Sequence, residues 1–171
     1  MNIEIILGDI TQQPDCEAIV NAANPMLMRG SGVAGAIHKA AGKELEKYCE
    51  QYAPIKTCEV IITPGFNLPN RYVLHAVGPK YYQDQNPDDL LMRTYQNILK
   101  ACAEYQIEKI AIPSISTGSY AFPLEQATLI AIETLLKWDS LHPKMGRLVV
   151  FDKQAYMVTL DILKDKKVNS E

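Results

Sequence analysis

The chain has 171 residues, of which 47% are hydrophobic and 22% charged, a composition typical of one globular domain with a sizeable core. Its formal net charge of −3 argues against charge-driven binding of long nucleic acids. No apolar run approaches the roughly 20 residues that cross a bilayer, and the start lacks the basic segment of a signal peptide. We therefore expect no membrane partner.

Strands and helices are predicted to alternate along the chain. The predicted strands cover residues 3–7, 18–21, 60–63, 72–76, 109–113 and 148–151. The predicted helices cover residues 33–52, 90–105, 124–138 and 154–164, and Gly42 is a weak point in the first of them. Several strands are apolar throughout, which favours a mostly parallel sheet with helices on both faces. The two strands in succession between 60 and 78 suggest a mixed sheet, within a single domain of residues 1–165 followed by a polar, frayed tail at 166–171.

The cysteines and histidines predict neither a metal site nor an obvious nucleophile. Cys16, Cys49, Cys58 and Cys102 form no CxxC pair and have no matching histidine spacing, so we expect reduced thiols and a cytoplasmic protein. The three histidines suggest no Ser-His-Asp or Cys-His constellation. No cofactor is expected.

Two loops that precede helices are candidates for anion binding. Ligands of such sheets bind outside the carboxyl ends of the strands. Gly30-Ser31-Gly32 lies at a helix start, where free N–H groups attract phosphate; an ordinary glycine-rich turn is the alternative. The loop 114–120, SISTGSY, is the second, and a turn that caps the helix at Leu124 is its alternative. Together the two loops fit a diphosphate held from both sides.

Two further residues are candidates for contacts with a base. Asp9 follows a strand and a glycine, so its carboxylate could accept a hydrogen bond from an exocyclic amine such as that of adenine; a turn or N-cap aspartate is the alternative. Phe151 at the end of the last strand could stack on a base, with a place in the core as the alternative.

Five segments together resemble macrodomains, in the order in which that family has them. They are LGDIT at 7–11, NAANPMLMRGSGVAGAIHKAAG at 21–42, HAVGP at 75–79, SISTGSYAFP at 114–123 and VVFDKQAY at 149–156. The resemblance spans nearly the whole chain. It implies a three-layer α/β/α sandwich with a mixed, mostly parallel central sheet. It also implies ADP-ribose as the ligand, either free or attached to a protein or nucleic acid.

The resemblance also implies roles for individual residues. Asp9 and the Ile10 N–H would contact the adenine, Phe151 would flank it, and Asn24 would bind the distal ribose as the catalytic residue. Tyr120 or Phe122 would form a wall of the distal ribose pocket. The diphosphate would be held by backbone N–H groups of Ser31, Gly32, Val33, Ser116, Thr117, Gly118, Ser119 and Tyr120.

One position departs from the hydrolases that the motif otherwise resembles most. MacroD-type enzymes have an aspartate, thought to activate water, where this chain has Ala34 in GVAGAIH. Loss of a general base typically lowers a rate by about 10²–10⁴-fold. Coronavirus macrodomains have a sequence similar to GVAGA at this place. The resemblance to them implies that this chain hydrolyses mono-ADP-ribose by means of the asparagine and a water that the substrate's own phosphate positions. Arg29 stands where viral domains usually have histidine; it could contact a phosphate or the attached target, or be solvated.

Three functions therefore remain open from the sequence. The first is hydrolysis of mono-ADP-ribosyl or O-acyl-ADP-ribose linkages, which the resemblance implies because Asn24 and both loops are present. The second is a module that binds ADP-ribose without cleaving it, which Ala34 favours. The third is a different nucleotide or RNA phosphate in the same cleft.

Overall fold

A computed structural model describes residues 1–169; Ser170 and Glu171, the end of the predicted polar tail, lie outside the described residues. The elements in chain order are β1 (Asn2–Leu7), β2 (Ala18–Ala22), α1 (Gly32–Ala41), α2 (Lys43–Cys49), β3 (Val60–Pro64), β4 (Tyr72–Ala76), α3 (Pro87–Glu104), β5 (Lys109–Ile112), α4 (Leu124–Lys137), β6 (Met145–Val150) and α5 (Lys153–Asn169).

The strands form one sheet in the order β1-β6-β5-β2-β4-β3. All neighbouring strands are parallel except β3 and β4, which are antiparallel. The prediction of a mixed, mostly parallel sheet is thus confirmed. The exception occurs where two predicted strands follow each other without a helix between them.

The sheet has a hydrophobic core on each face, which makes three layers. On one face the sheet packs against α3, α4 and α5, and on the other against α1 and α2. Successive side chains of a strand point to opposite faces. Within β2, Ala18 and Val20 accordingly join the first core and Ile19 joins the second. This is why the central strands are apolar throughout rather than alternating.

The predicted single helix over 33–52 is wrong, because the chain breaks at Gly42. This residue has φ +93, a conformation that favours glycine. A Cβ atom there would lie 2.9 Å from the Asn67 amide nitrogen. The break lets α2 turn away from α1, so that Leu45 and Cys49 reach the same core as Ile37.

The last helix is longer than predicted. It continues to Asn169, so the polar residues 165–169 extend α5 rather than forming a separate tail. The described residues include no helix long and apolar enough to span a membrane. All four cysteines are free thiols.

A polar cluster is buried beneath α1. His75 on β4 is fully buried, with its Nδ1 3.1 Å from the Asn21 amide nitrogen and its Nε2 2.9 Å from the Thr63 hydroxyl. Burial, and secondarily the nearby His38, lowers the pKa of His75 from 6.5 to about 3. His38 is also buried, and burial lowers its pKa as well.

The pKa of His75 predicts a loss of stability in mild acid. Between pH 6.5 and about 3 the unfolded chain binds the proton that folded His75 excludes, so the free energy of unfolding falls as the pH falls. From pH 7.5 to 5.0 this contribution amounts to about 2 kcal/mol. Urea unfolding at both pH values measures it. We expect His75→Gln to reduce the pH dependence and His142→Gln to retain it; equal pH dependence of His75→Gln and wild type would contradict the assignment.

Candidate functional site

Five strand ends and their loops share one edge of the molecule. Because β1, β6, β5, β2 and β4 are parallel, their carboxyl ends lie at the same edge of the sheet. The predicted site residues all follow these strands, so the topology brings the predicted loops to one side of the protein. Crevices at this edge are the usual ligand sites of open α/β sheets.

The loop after β1 presents Asp9 on a fixed turn. Its Oδ1 accepts hydrogen bonds from the Thr11 N–H at 2.9 Å and the Thr11 hydroxyl at 2.7 Å. Both bonds use Oδ1, so the turn leaves Oδ2 for another donor. Asp9 is exposed, whereas the neighbouring Ile10 is buried in the core beneath α1. Asp9 is therefore a turn aspartate through Oδ1, as the alternative had it, while Oδ2 remains available to a ligand.

The loop after β2 is closed by the side chain of Asn24. Its Nδ2 donates to the Met28 carbonyl at 2.8 Å, and its Oδ1 accepts from the Met28 N–H at 3.1 Å. A carboxamide has two N–H donors and two lone pairs on its oxygen. The turn thus holds the Asn24 amide in place and uses half of its hydrogen-bonding capacity.

The glycine-rich segment leads into α1 without a side-chain cap. Ser31 is the N-cap residue, yet its hydroxyl makes no capping bond, and the first turn of α1 contains no acidic residue. Gly32 has φ +61, and a Cβ atom there would meet nothing within 4 Å, so glycine is favoured there by conformation rather than by space. Exposed Ser31 and Gly32 and half-buried Val33 therefore start a helix whose N-terminus is open to an anion.

Gly35 lets α1 pack closely on this segment. A Cβ atom at Gly35 would lie 2.4 Å from the Gly30 carbonyl oxygen. Ala34 beside it is buried and apolar. Position 34 thus supplies no carboxylate to the loop.

The loop after β5 is held in a strained and close-packed shape. Ser116 has φ +68 and is buried, and within residues 1–169 its hydroxyl has no hydrogen-bond partner. The Phe122 N–H donates to the Ser116 carbonyl at 2.9 Å, and the Ala121 N–H donates to the Gly118 carbonyl at the same distance. Gly118 and Ser119 are exposed at the tip, and Thr117 is half-buried.

The two aromatic residues of this loop differ in what they offer to a ligand. Tyr120 is half-buried, and Lys80 Nζ lies 5.5 Å from its ring centroid. Burial, and secondarily Asp84, raises the pKa of Tyr120. Phe122 is 2% exposed and packs edge-on against Tyr81, with 4.9 Å between ring centroids. Of the two residues proposed as a pocket wall, Tyr120 has accessible surface, while Phe122 supports the loop from the core.

Phe151 is exposed at the end of β6. Its side chain is 81% exposed, so the alternative that it belongs to the core is wrong. The next residue, Asp152, accepts a hydrogen bond from the Ala155 N–H at 2.8 Å at the start of α5. The chain turns here from strand to helix, which leaves the Phe151 ring on the surface beside the strand ends.

Comparison with known proteins identifies the family. A profile of the Macro domain matches residues 20–131. A macro domain-containing protein of Lactiplantibacillus plantarum is 46% identical over 79% of this chain and 78% of its own length. The chain belongs to the macrodomain family.

Solved macrodomains share the whole architecture. The Oceanobacillus iheyensis macrodomain with ADP has a TM-score of 0.93 and 37% identity, covering 98% of this chain and 92% of its own. Single variants that replace an aspartate or an asparagine by alanine have also been solved. The Trypanosoma brucei macrodomain in complex with ADP-ribose has a TM-score of 0.86 and 34% identity, covering 94% of this chain and 68% of that one. The predicted three-layer α/β/α macrodomain fold is confirmed.

Two residues beside the candidate site of this macrodomain received no role from the sequence, although the first lies in the HAVGP segment quoted above. Gly78 and Lys80 follow β4 and border the loop after β5. A Cβ atom at Gly78 would lie 2.3 Å from the Ser116 hydroxyl oxygen, so glycine is needed for the loop to approach. The signal was available in HAVGPK, which follows an apolar strand just as the other site loops do.

Arg29 connects the loop after β2 to α2 through its backbone. Its N–H makes a short hydrogen bond to the Glu46 carboxylate on α2, and its side chain is exposed. The bond joins the glycine-rich segment to the second helix. Within residues 1–169, no group of three His, Cys, Asp or Glu side chains converges as a metal site would require.

Gly35 offers a direct test of the close packing between α1 and the glycine-rich segment. In Gly35→Ala the new methyl group meets the Gly30 carbonyl, so helix and loop must separate, and we expect a loss of about 1–3 kcal/mol. Gly118→Ala is the matched control because its Cβ meets nothing within 4 Å. Urea unfolding compares the two; equal stability of both variants would contradict the packing described.

Proposed function

We propose that this macrodomain binds ADP-ribose and hydrolyses mono-ADP-ribosyl linkages to acidic side chains, or the related O-acyl-ADP-ribose. An ADP-ribosylated protein is then its partner. The four free thiols favour a reducing compartment, which we take to be the cytoplasm.

The observation that carries the proposal is that the Asn24 amide is held in place and still has free hydrogen-bonding capacity. Its amide is fixed by two bonds to Met28 and retains one N–H and one lone pair. A polar group that is already immobile needs little further ordering to bind a ribose hydroxyl or a water. Such preorganisation is what a reacting centre requires.

The backbone loops support binding of the diphosphate. The start of α1 has neither a side-chain cap nor an acidic residue, so its N–H groups and helix dipole favour an anion. The loop of Ser116 to Tyr120 would meet the diphosphate from the other side. At the adenine end, Oδ2 of Asp9 would accept from the exocyclic amine, beside the N–H of Ile10, and exposed Phe151 would flank the base.

The chemical step must proceed without a carboxylate at position 34. Water would attack the anomeric carbon of the distal ribose, and the bond to the target carboxylate would break, releasing that carboxylate. Asn24 would orient the ribose and the water, and a phosphate oxygen of the ligand itself would take the proton of the water. Positioning and electrostatics would then supply the acceleration.

A reader of ADP-ribose is the second candidate, and buried, apolar Ala34 favours it. In the Oceanobacillus iheyensis variants, the replaced asparagine and aspartate are ten positions apart, the same separation as that of Asn24 and Ala34. The relative thus has an aspartate at the spacing where this chain has alanine. Without that group, binding with little turnover is the expected behaviour of a non-catalytic module.

Binding is tested with free ADP-ribose by titration calorimetry. We expect Asp9→Ala to weaken binding about tenfold, because it removes a charge-assisted hydrogen bond to the adenine amine. Asp139→Ala, which removes the same charge from an exposed residue after α4, serves as the control. Equal affinity of Asp9→Ala and wild type would show that the adenine end is assigned wrongly. Tighter binding of a short RNA than of ADP-ribose would favour the third function.

Hydrolysis is tested with a mono-ADP-ribosylated acidic peptide in a time course. We expect slow release of ADP-ribose by the wild type and a loss of at least about tenfold in Asn24→Ala. Ala34→Asp should accelerate release by up to about 10²–10⁴-fold if its carboxylate reaches the water. No release above the buffer rate by near-stoichiometric wild type, with ADP-ribose still bound, would leave the reader function.

A further inference from the structure

A buried arginine on β6 anchors the far end of the loop that carries Asp9. Arg147 is 8% exposed, and its Nη1 and Nη2 donate to the two carboxylate oxygens of Asp15, both at 2.7 Å. Its Nε donates to Glu4 at 3.0 Å. The Arg147 guanidinium holds the pKa of Asp15 down at about 2. A two-pronged, charge-assisted contact of this kind fixes direction as well as distance.

Gln13 connects this anchor to Asp9. Its side chain is buried, with Oε1 2.9 Å from Arg147 Nη1 and Nε2 2.8 Å from the Asp9 carbonyl oxygen. An arginine has no acceptor, so the amide must turn its oxygen toward Arg147 and its N–H toward Asp9. The donor and acceptor requirements of its two partners therefore determine the orientation of the Gln13 amide.

A third element holds the same loop. Asn70, in the β3–β4 connection, donates through Nδ2 to the carbonyl oxygens of Gln13 and Cys16, both at 2.8 Å. The loop from Asp9 to Cys16 is thereby tied both to β6 and to the β3–β4 connection. None of these supporting contacts uses the Asp9 carboxylate.

We propose that Gln13, held by Arg147, is a positioning residue that determines selectivity for adenine. Its Nε2 and the Gln12 N–H, at 3.0 Å, together hold the Asp9 carbonyl, while Thr11 holds one carboxylate oxygen, so Asp9 Oδ2 has its direction before a ligand arrives. A prepositioned acceptor raises the affinity for a base that donates an exocyclic N–H and lowers the affinity for a base with a carbonyl oxygen in that place. This inference rests on the proposed binding of ADP-ribose and extends it to the origin of base selectivity.

The test compares two glutamines that each donate to a backbone carbonyl. Gln13→Glu keeps an acceptor for Arg147 but lacks the N–H for Asp9. Gln51→Glu is the matched control, because it adds the same charge and removes a similar bond, from Nε2 to the Tyr48 carbonyl at 2.9 Å, on an exposed residue. Calorimetry with ADP-ribose and with its hypoxanthine analogue gives the base selectivity of each variant.

We expect Gln13→Glu to bind ADP-ribose roughly fivefold more weakly than Gln51→Glu, about the effect of one hydrogen bond. The affinity for the hypoxanthine analogue should change little, so selectivity falls. In an Asp9→Ala background the loss caused by Gln13→Glu should become smaller, because Gln13 acts in part through the Asp9 carboxylate. A merely structural role would instead weaken both ligands equally and persist in that background.

The outcomes separate the two proposals. If the wild type binds ADP-ribose and the effect of Gln13→Glu is additive with Asp9→Ala, the positioning role is overturned and the proposed function stands. Unchanged selectivity in Gln13→Glu overturns it as well. If the wild type binds no ADP-ribose, the proposed function fails and the positioning role fails with it. Gln13→Ala provides the second variant if Gln13→Glu does not fold.

Discussion

Parallel pairing of neighbouring strands is the constraint on which the site depends. Because β1, β6, β5, β2 and β4 point the same way, loops that are far apart in sequence end at one edge. The backbone is closely packed at two points near this edge, and the glycines at 35 and 78 allow that packing. The site is thus a product of sheet topology first and of individual side chains second. Sheet topology alone brings together the Asp9 carboxylate, the Asn24 amide and the backbone N–H groups of the two loops, because each follows a strand that ends at this edge.

Local patterns were sufficient for most strands, for the alternation of elements and for placing the candidate loops after strand ends. They failed where a distant contact decides. The helical pattern over 33–52 marked Gly42 only as a weak point, whereas the chain ends α1 there, where Asn67 from another connection packs against it. Likewise the apolar run that ends at Phe151 left a place in the core as an alternative to a base contact, yet the chain leaves the sheet at that residue. Single-sequence reasoning sees propensity and period, and these two outcomes were set by packing.

The supporting residues of the candidate site were harder to predict than the loops at the strand ends. A glycine-rich loop has a recognisable composition, whereas Gln13 and Arg147 are ordinary residues separated by 134 positions. Nothing in the composition around either one indicates the other. The resemblance to the family implied a role for Asn24, but the sequence did not indicate its two bonds to Met28, which depend on the shape of the loop. Contacts of this kind determine how rigid a macrodomain site is before ligand arrives.

The ion pair between Arg147 and Asp15 also has a consequence for the order of assembly. The two residues are 132 positions apart, and β1 lies at the sheet edge beside β6, which is the last strand of residues 1–169. A growing polypeptide that has not reached β6 has neither a neighbour for its first strand nor an anchor for the loop after it. Contacts of such long sequence separation form late. We therefore expect the loop that carries Asp9 to be fully anchored only after β6 has been synthesised.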